Sequence, residues 1–293
     1  MTLEEFYAII TQFTAYLRDT KNYSIHTTRA YIADLEQCAK FWNMLQERSG
    51  KEIAFSSIIE RYFSLLATKK NNKSTIARKI SCFNTLERFA HCNGFHLNIL
   101  VSRPYIAEKK PDYLSEQEIK HVLARSSEQN IPTKRPYRDQ AIIEFFYSTG
   151  ITCSELIEIR CGDILPLDEK KVLIKGKKNK SRVISFNDQV HKKLVDYLKE
   201  RCPITHSQEY LFLNYRNEPL TTRSIQRICE MFSELVKSDT PITPHTLRHT
   251  CATHLAEKGA NEQELQDQLG LSKVSVEKYI RLLSEKKKLC SKE

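Results

Sequence analysis

Apolar residues recur at the 3.6-residue period of a helix along most of this chain, and at one place that period gives way to alternation. Residues 171–186, "KVLIKGKKNKSRVISF", alternate apolar and polar on both sides of a Gly-Lys-Lys-Asn-Lys centre, which is the pattern of a β-hairpin. Helix signals lie on either side of it. Thr2 and Glu5 form a capping box ahead of Phe6, Ile9, Ile10, Phe13 and Leu17. Ser24 caps a second helix with Tyr31, Leu35, Cys38 and Trp42 on one face. Ser57 and Glu60 open a third with Ile59, Phe63 and Leu66, and Ser74 opens a fourth with Ile76, Ile80, Phe83 and Phe89 inward and Gly94 as its stop. Only seven glycines in 293 residues suit a mainly helical chain with one small antiparallel sheet.

That length suits two domains. Residues 97–113, "LNILVSRPYIAEKKPDY", contain two prolines and no helical period, and read as an extended linker. Ser115 then starts a freshly capped helix, so the expected domains are 1–107, a helical bundle, and 108–293. Helices follow over about 138–148 and 154–160, and the helical period returns from 187 onward. No apolar run approaches the roughly 20 residues of a membrane span, and "MTLEEFYAII" lacks the basic-then-apolar form of a signal peptide. The nine cysteines never pair as CxxC, which disfavours zinc and redox motifs and suits free thiols in a reducing cytoplasm.

A formal charge of +10 favours a polyanionic partner. The basic residues cluster. Residues 170–182 carry seven Lys or Arg and no acid, and residues 69–79 carry five basic residues and no acid. A ribbon as slim as a hairpin lies along a DNA groove, its basic tip against phosphates; the plainer alternative is a solvated, aggregation-resistant edge. The candidate DNA-binding residues are Lys175, Lys178, Lys180 and Arg182 in the hairpin, with Lys73, Arg78 and Lys79 in the first domain.

The stretch 244–255, "PHTLRHTCATHL", carries the chemistry. Thr243 caps a helix, Pro244 suits its first turn, and His245 and Arg248 lie three apart on one face. A helix N-terminus with an imidazole and a guanidinium beside it is an oxyanion site. His245 and His249, four apart, also suit a metal, but Arg248 repels a cation and no acid or cysteine completes a shell within the turn. No metal or cofactor is expected. His249 and His254 read as packing or capping histidines.

These segments resemble, in order, the tyrosine recombinases, with the layout of bacterial Xer proteins and of phage or transposon integrases. "YSIHTTRAYIADL" and "KSTIARKISCFNTLERFAHCNGF" are similar to the family's N-terminal DNA clamp, and "YLSEQEI", "RDQAIIEFFYSTGITCSELIEIRCGDI", "IKGKKNKSRVISF" and "ITPHTLRHTCATHLAEKGANEQELQDQLG" to its catalytic domain. The resemblance implies a mainly α, two-domain, C-shaped clamp on double-stranded DNA. It implies strand cleavage and rejoining through a covalent phosphotyrosyl link, with homo- or hetero-tetramers on paired sites that exchange C-terminal segments. Matched position by position, Tyr279 is the nucleophile, Lys177 the general acid with Lys175 and Lys178 as neighbours open to confusion, and His245 with Arg248 the phosphate ligands.

Two positions depart from the pattern. Thr152 stands where the family carries arginine and Leu271 where it carries histidine, and Arg160 is a poor substitute for the former. Loss of one pre-organised donor costs on the order of 3 kcal/mol of transition-state stabilisation, and loss of two about 10⁴-fold in rate, though not additively. DNA affinity, spread over many phosphates, survives such losses. The rival readings are therefore a catalytically impaired DNA-binding accessory factor of the same fold, and a metal-dependent enzyme built on the histidines.

Overall fold

Side-chain caps start most helices of the computed structural model, which describes residues 1–68, 72–99, 101, 111–126, 131–164, 166–176, 181–201, 203, 206 and 209–290. Contacts divide the chain into Met1–Lys109 and Lys110–Glu293.

The first unit holds α1 (Leu3–Ala15), α2 (Ile25–Ser49), α3 (Phe55–Thr68) and α4 (Lys73–Cys92). The Thr2–Glu5 capping box and the Ser24 cap form as the spacing predicts. The next two starts differ. α3 begins at Phe55, ahead of Ser57, because the Phe55 ring is buried against Phe6 and Trp42 at 5.3 and 5.4 Å and draws the first turn into the core. α4 is capped by Asn72, whose side-chain oxygen accepts from both the backbone N–H and the hydroxyl of Ser74 at 3.1 and 3.0 Å. Leu97 and Ile99, at the start of the expected linker, pack into this core instead, while residues 102–110 lie outside the described set.

Lys79 corrects an expectation. It does not face outward for DNA: it is 4 % exposed, and its Nζ donates to Asp34 at 2.8 Å, Gln37 at 2.6 Å and the Tyr62 hydroxyl at 3.2 Å. Arg78, more exposed, also pairs with Asp34, and Lys73 is exposed. A buried cation persists only where acceptors surround it, and α2 and α3 provide them to Lys79 on α4.

In the second unit α5 (Glu116–Ser126) precedes α6 (Pro136–Thr149) and the short α7 (Cys153–Glu158). The hairpin follows as β1 (Lys171–Lys175) and β2 (Ser181–Ser185), antiparallel, with Val172 opposite Ile184 and Ile174 opposite Arg182. Then come α8 (Asp188–Glu200), α9 (Thr222–Val236), α10 (Pro244–Glu257), α11 (Glu262–Leu269) and α12 (Lys273–Cys290). α6 is the axis of this unit. Its Ala141, Ile142, Ile143, Phe145 and Phe146 are fully buried, and it packs against both α8 and α10. Its polar residues Arg138, Asp139, Gln140 and Glu144 are buried as well, so the helix is covered on several sides. Among the described residues no helix is long and apolar enough to cross a membrane.

Breaking a buried ion pair on one side strands its partner at a cost of about 3–5 kcal/mol. Asp34→Ala is expected to lower the full chain's unfolding free energy by about that amount, read from urea denaturation. The double change Asp34→Leu, Lys79→Met is expected to recover most of it.

Candidate active site

α6 ends at Gly150 with φ +63°, and a side chain there would collide with Leu269 Cδ2 besides straining the backbone. Two residues on, Thr152 caps α7. Its hydroxyl accepts from the Glu155 N–H at 3.2 Å, while Glu155 Oε2 accepts from the Thr152 N–H at 2.8 Å and its hydroxyl at 2.9 Å. This capping box turns Glu155 back toward the end of α6.

Arg248 arrives from α10, capped by Thr243 with Pro244 in its first turn, as the sequence predicts. Its side chain is almost fully buried. Nη1 donates to the Gly150 carbonyl and Nη2 to the Leu269 carbonyl, both at 2.6 Å. Those carbonyls end α6 and α11, where helix dipoles are negative and a cation is welcome. Glu155 Oε2 lies 3.9 Å away.

Arg182 arrives from β2. Its Nη1 donates to Glu155 Oε1 at 2.6 Å and its Nε to the Gln268 carbonyl at 3.1 Å. Gly270, φ +63°, closes α11 beside it, and a Cβ there would sit 2.8 Å from Arg182 Nη1. Burial raises the pKa of the Glu155 carboxyl, but hydrogen bonds from Arg182 and Thr152 outweigh that and hold it below its ordinary value. Glu155 is therefore ionised, set against two guanidiniums. These groups line a cavity of about 850 Å³ together with Lys175, Ser272 and Leu271. Leu271 adds no donor to it.

The nucleophile candidate is held in the same unit. Tyr279, on α12, is 4 % exposed, and its hydroxyl lies 2.6 Å from His249 Nδ1, one residue past Arg248. Burial first, then the neighbouring His245, Lys278 and Arg248, push the His249 pKa down from 6.5 to about 4. Burial likewise raises the Tyr279 phenol, opposed by Arg248. At neutral pH both groups are uncharged.

The remaining sequence candidates divide. His245 is exposed on the first turn of α10. Lys175 pairs with Asp163 at 2.8 Å at the cavity's edge. Lys177, Lys178 and Lys180 lie outside the described residues. Arg160 stacks on the Tyr210 ring at 3.4 Å and lines a different hollow with Arg201 and Glu209. His254 contacts the Tyr147 hydroxyl at 3.2 Å, a packing role, whereas His249, read the same way, contacts the nucleophile candidate. Among the described residues, no three His, Cys, Asp or Glu side chains gather as metal ligands do.

Sequence reading missed Glu155 and counted Arg182 among the hairpin's charges without placing it in the cavity. The Thr152-x-x-Glu155 spacing is a capping-box signature, and the hairpin register sets Arg182 opposite Ile174, on the buried face of the ribbon.

Residues 112–286 match the phage integrase family, and residues 10–94 match the phage integrase N-terminal SAM-like domain. The tyrosine recombinase XerC of Bacillus pumilus (strain SAFR-032) is 32% identical over 275 residues, covering 90% of this chain and 88% of that protein. The tyrosine recombinase XerD of Staphylococcus haemolyticus (strain JCSC1435) is 31% identical over 280 residues, covering 91% of each. Among solved structures, the XerH site-specific recombinase bound to palindromic difH substrate in a post-cleavage complex superposes with a TM-score of 0.75 at 18% identity, over 96% of this chain and 84% of that one. A lambda integrase dimer bound to a COC' core site gives 0.66 at 15% identity, over 94% of both chains. With both units matched in order, this chain belongs to the phage integrase family, the tyrosine recombinases.

Proposed function

We propose that this chain performs site-specific DNA recombination or integration, with Tyr279 as nucleophile and the cavity beside Arg248 as the seat of the scissile phosphate. The observation that carries the reading is the 2.6 Å contact between the Tyr279 hydroxyl and His249, on the turn of α10 that also presents Arg248. In the tautomer protonated on Nε2, the neutral imidazole accepts the phenol proton at Nδ1. The Tyr279 oxygen bonds to phosphorus, and the bond from phosphorus to the deoxyribose oxygen breaks. The phenol proton passes to His249, and the leaving oxygen takes a proton from Lys177. Arg248 holds the negative charge of the non-bridging oxygens in a site where helix-end carbonyls have already oriented it. His245, exposed one turn earlier, supplies a further donor.

The first unit is proposed as a DNA-binding domain and residues 108–293 as the catalytic one. Lys73 and the basic hairpin meet phosphates, and the proteins work as tetramers on paired sites, in the cytoplasm. The impaired-accessory reading shares this fold and differs in whether an adduct forms.

A library of nicked duplexes of randomised sequence, which lose a short fragment on cleavage and so trap the covalent state, tests the chemistry. The wild-type chain is expected to enrich sequences as a detergent-resistant protein–DNA adduct, and Tyr279→Phe to bind the same sequences with no adduct. Binding by both chains with no adduct from either contradicts the nucleophile assignment.

The His249 environment sets a pH dependence of stability. Its folded pKa of about 4 lies below the ordinary 6.5, so between those values the unfolded chain binds more protons. Stability therefore rises with pH across that window and is lost as pH falls from 6.5 toward 4. His249→Gln is expected to lose less unfolding free energy than wild type between pH 7 and 4.5, measured by urea denaturation. An equal loss in both chains contradicts a buried, neutral His249.

A further inference from the structure

Thr152 leaves the cavity one guanidinium short of the pattern this chain resembles. It meets Glu155 through Oε2, at 2.8 and 2.9 Å, and Arg182 meets the same carboxylate through Oε1 at 2.6 Å. Arg182 thus comes from a different element to the position beside residue 152, and among the described residues Arg182 and Arg248 are the two arginines that line the cavity. Among the described residues, two further candidate cations are otherwise engaged: Arg160 is stacked on Tyr210 in another hollow, and Lys175, at the cavity's edge, is paired with Asp163.

The geometry at Arg182 is more than a strand-to-helix tie. It occupies an inward position of β2, opposite Ile174, where the alternation of the hairpin calls for an apolar side chain. Glu155 and the Gln268 carbonyl satisfy Nη1 and Nε. Nη2 is shielded from solvent and has no acceptor among the described residues. A buried donor without an acceptor is costly, and a phosphate oxygen is an acceptor of the right charge and shape for the planar fork. Burial first, and then the nearby Arg182, weaken the hold of Arg248 on its proton, although Glu155 opposes both.

We infer that Arg182 is a catalytic residue that replaces, from strand β2, the arginine absent at Thr152, and that it grips a non-bridging oxygen of the scissile phosphate alongside Arg248. The inference rests on the strand-cleavage reading above. It gives the chain two guanidiniums in the cavity despite Thr152, with Glu155 as the positioning residue that holds both.

The test compares single-turnover adduct formation on a trapped duplex with an ordinary scissile phosphate and on one carrying a methylphosphonate there, which removes the negative charge a guanidinium offsets. Arg182→Gln is expected to slow cleavage of the ordinary phosphate by about a hundredfold or more, with DNA affinity nearly unchanged because it is spread over many phosphates. The ratio of the methylphosphonate rate to the phosphate rate is expected to rise by at least tenfold over wild type. That ratio is taken within each variant, so a smaller folded fraction cancels from it. Arg182→Lys, which keeps a cation on Glu155 but loses the fork, is expected to show the same rise in smaller measure. An unchanged ratio in both variants overturns the inference and leaves Arg182 as a structural tie, as does Arg182→Gln cleaving the ordinary phosphate at the wild-type rate. A wild-type chain that traps no adduct on either substrate overturns the strand-cleavage reading itself.

Discussion

Two guanidiniums held side by side repel each other, and much of the second unit is arranged around making that tolerable. Arg182 and Arg248 share the Glu155 carboxylate, and each takes further carbonyls, Gln268 for Arg182 and Gly150 with Leu269 for Arg248. Three of these four acceptors sit at helix C-termini, where the backbone is electronegative and its last carbonyls lack intrahelical partners. Gly150 and Gly270 end those helices in the left-handed conformation, which brings the carbonyls within reach. Neither position accommodates a side chain without moving Leu269 or Arg182. The cradle is therefore set by backbone geometry before any ligand arrives, the condition under which hydrogen-bond donors most stabilise a transition state.

α10, which carries Arg248, also supplies the second half of the proposed chemistry. Arg248 and His249 are consecutive, so α10 faces the cavity with one side chain and α12 with the next. Leu265, Leu269, Val276 and Cys251 pack beneath that junction in a small core of their own. The phenol waits as a neutral group against a neutral imidazole. With Tyr279 as the proposed nucleophile, activation needs a shift of one proton across a short hydrogen bond, with no charge created in the apolar pocket beforehand.

Much of this was legible in the sequence, and the rest failed for identifiable reasons. Period and caps placed α1, α2, the hairpin and α10, because each is specified by residues within a few positions of one another. The starts of α3 and α4 were read from serines, and a buried aromatic in one case and an asparagine in the other decided them. Lys79 was grouped with a basic surface, since nothing local shows that Asp34, 45 residues away, waits to bury it. His249 looked like a packing histidine because its partner Tyr279 lies 30 residues downstream. Arg182 is the instructive case. Composition counted it among the charges of a basic ribbon, whereas the register of that ribbon turns it inward. Non-local pairing decided most of the misses, and the α4 start turned instead on a local cap, Asn72.

The structure of Tyr279→Phe bound to a duplex selected by the wild-type chain tests the central claim most directly. The expected result is one phosphate in the cavity, its non-bridging oxygens within about 3 Å of guanidinium nitrogens of both Arg182 and Arg248, with the residue-279 ring turned toward phosphorus. A duplex seated with every phosphate outside that cavity, or with Arg248 still fully engaged by its two carbonyls and no oxygen near Arg182, contradicts it.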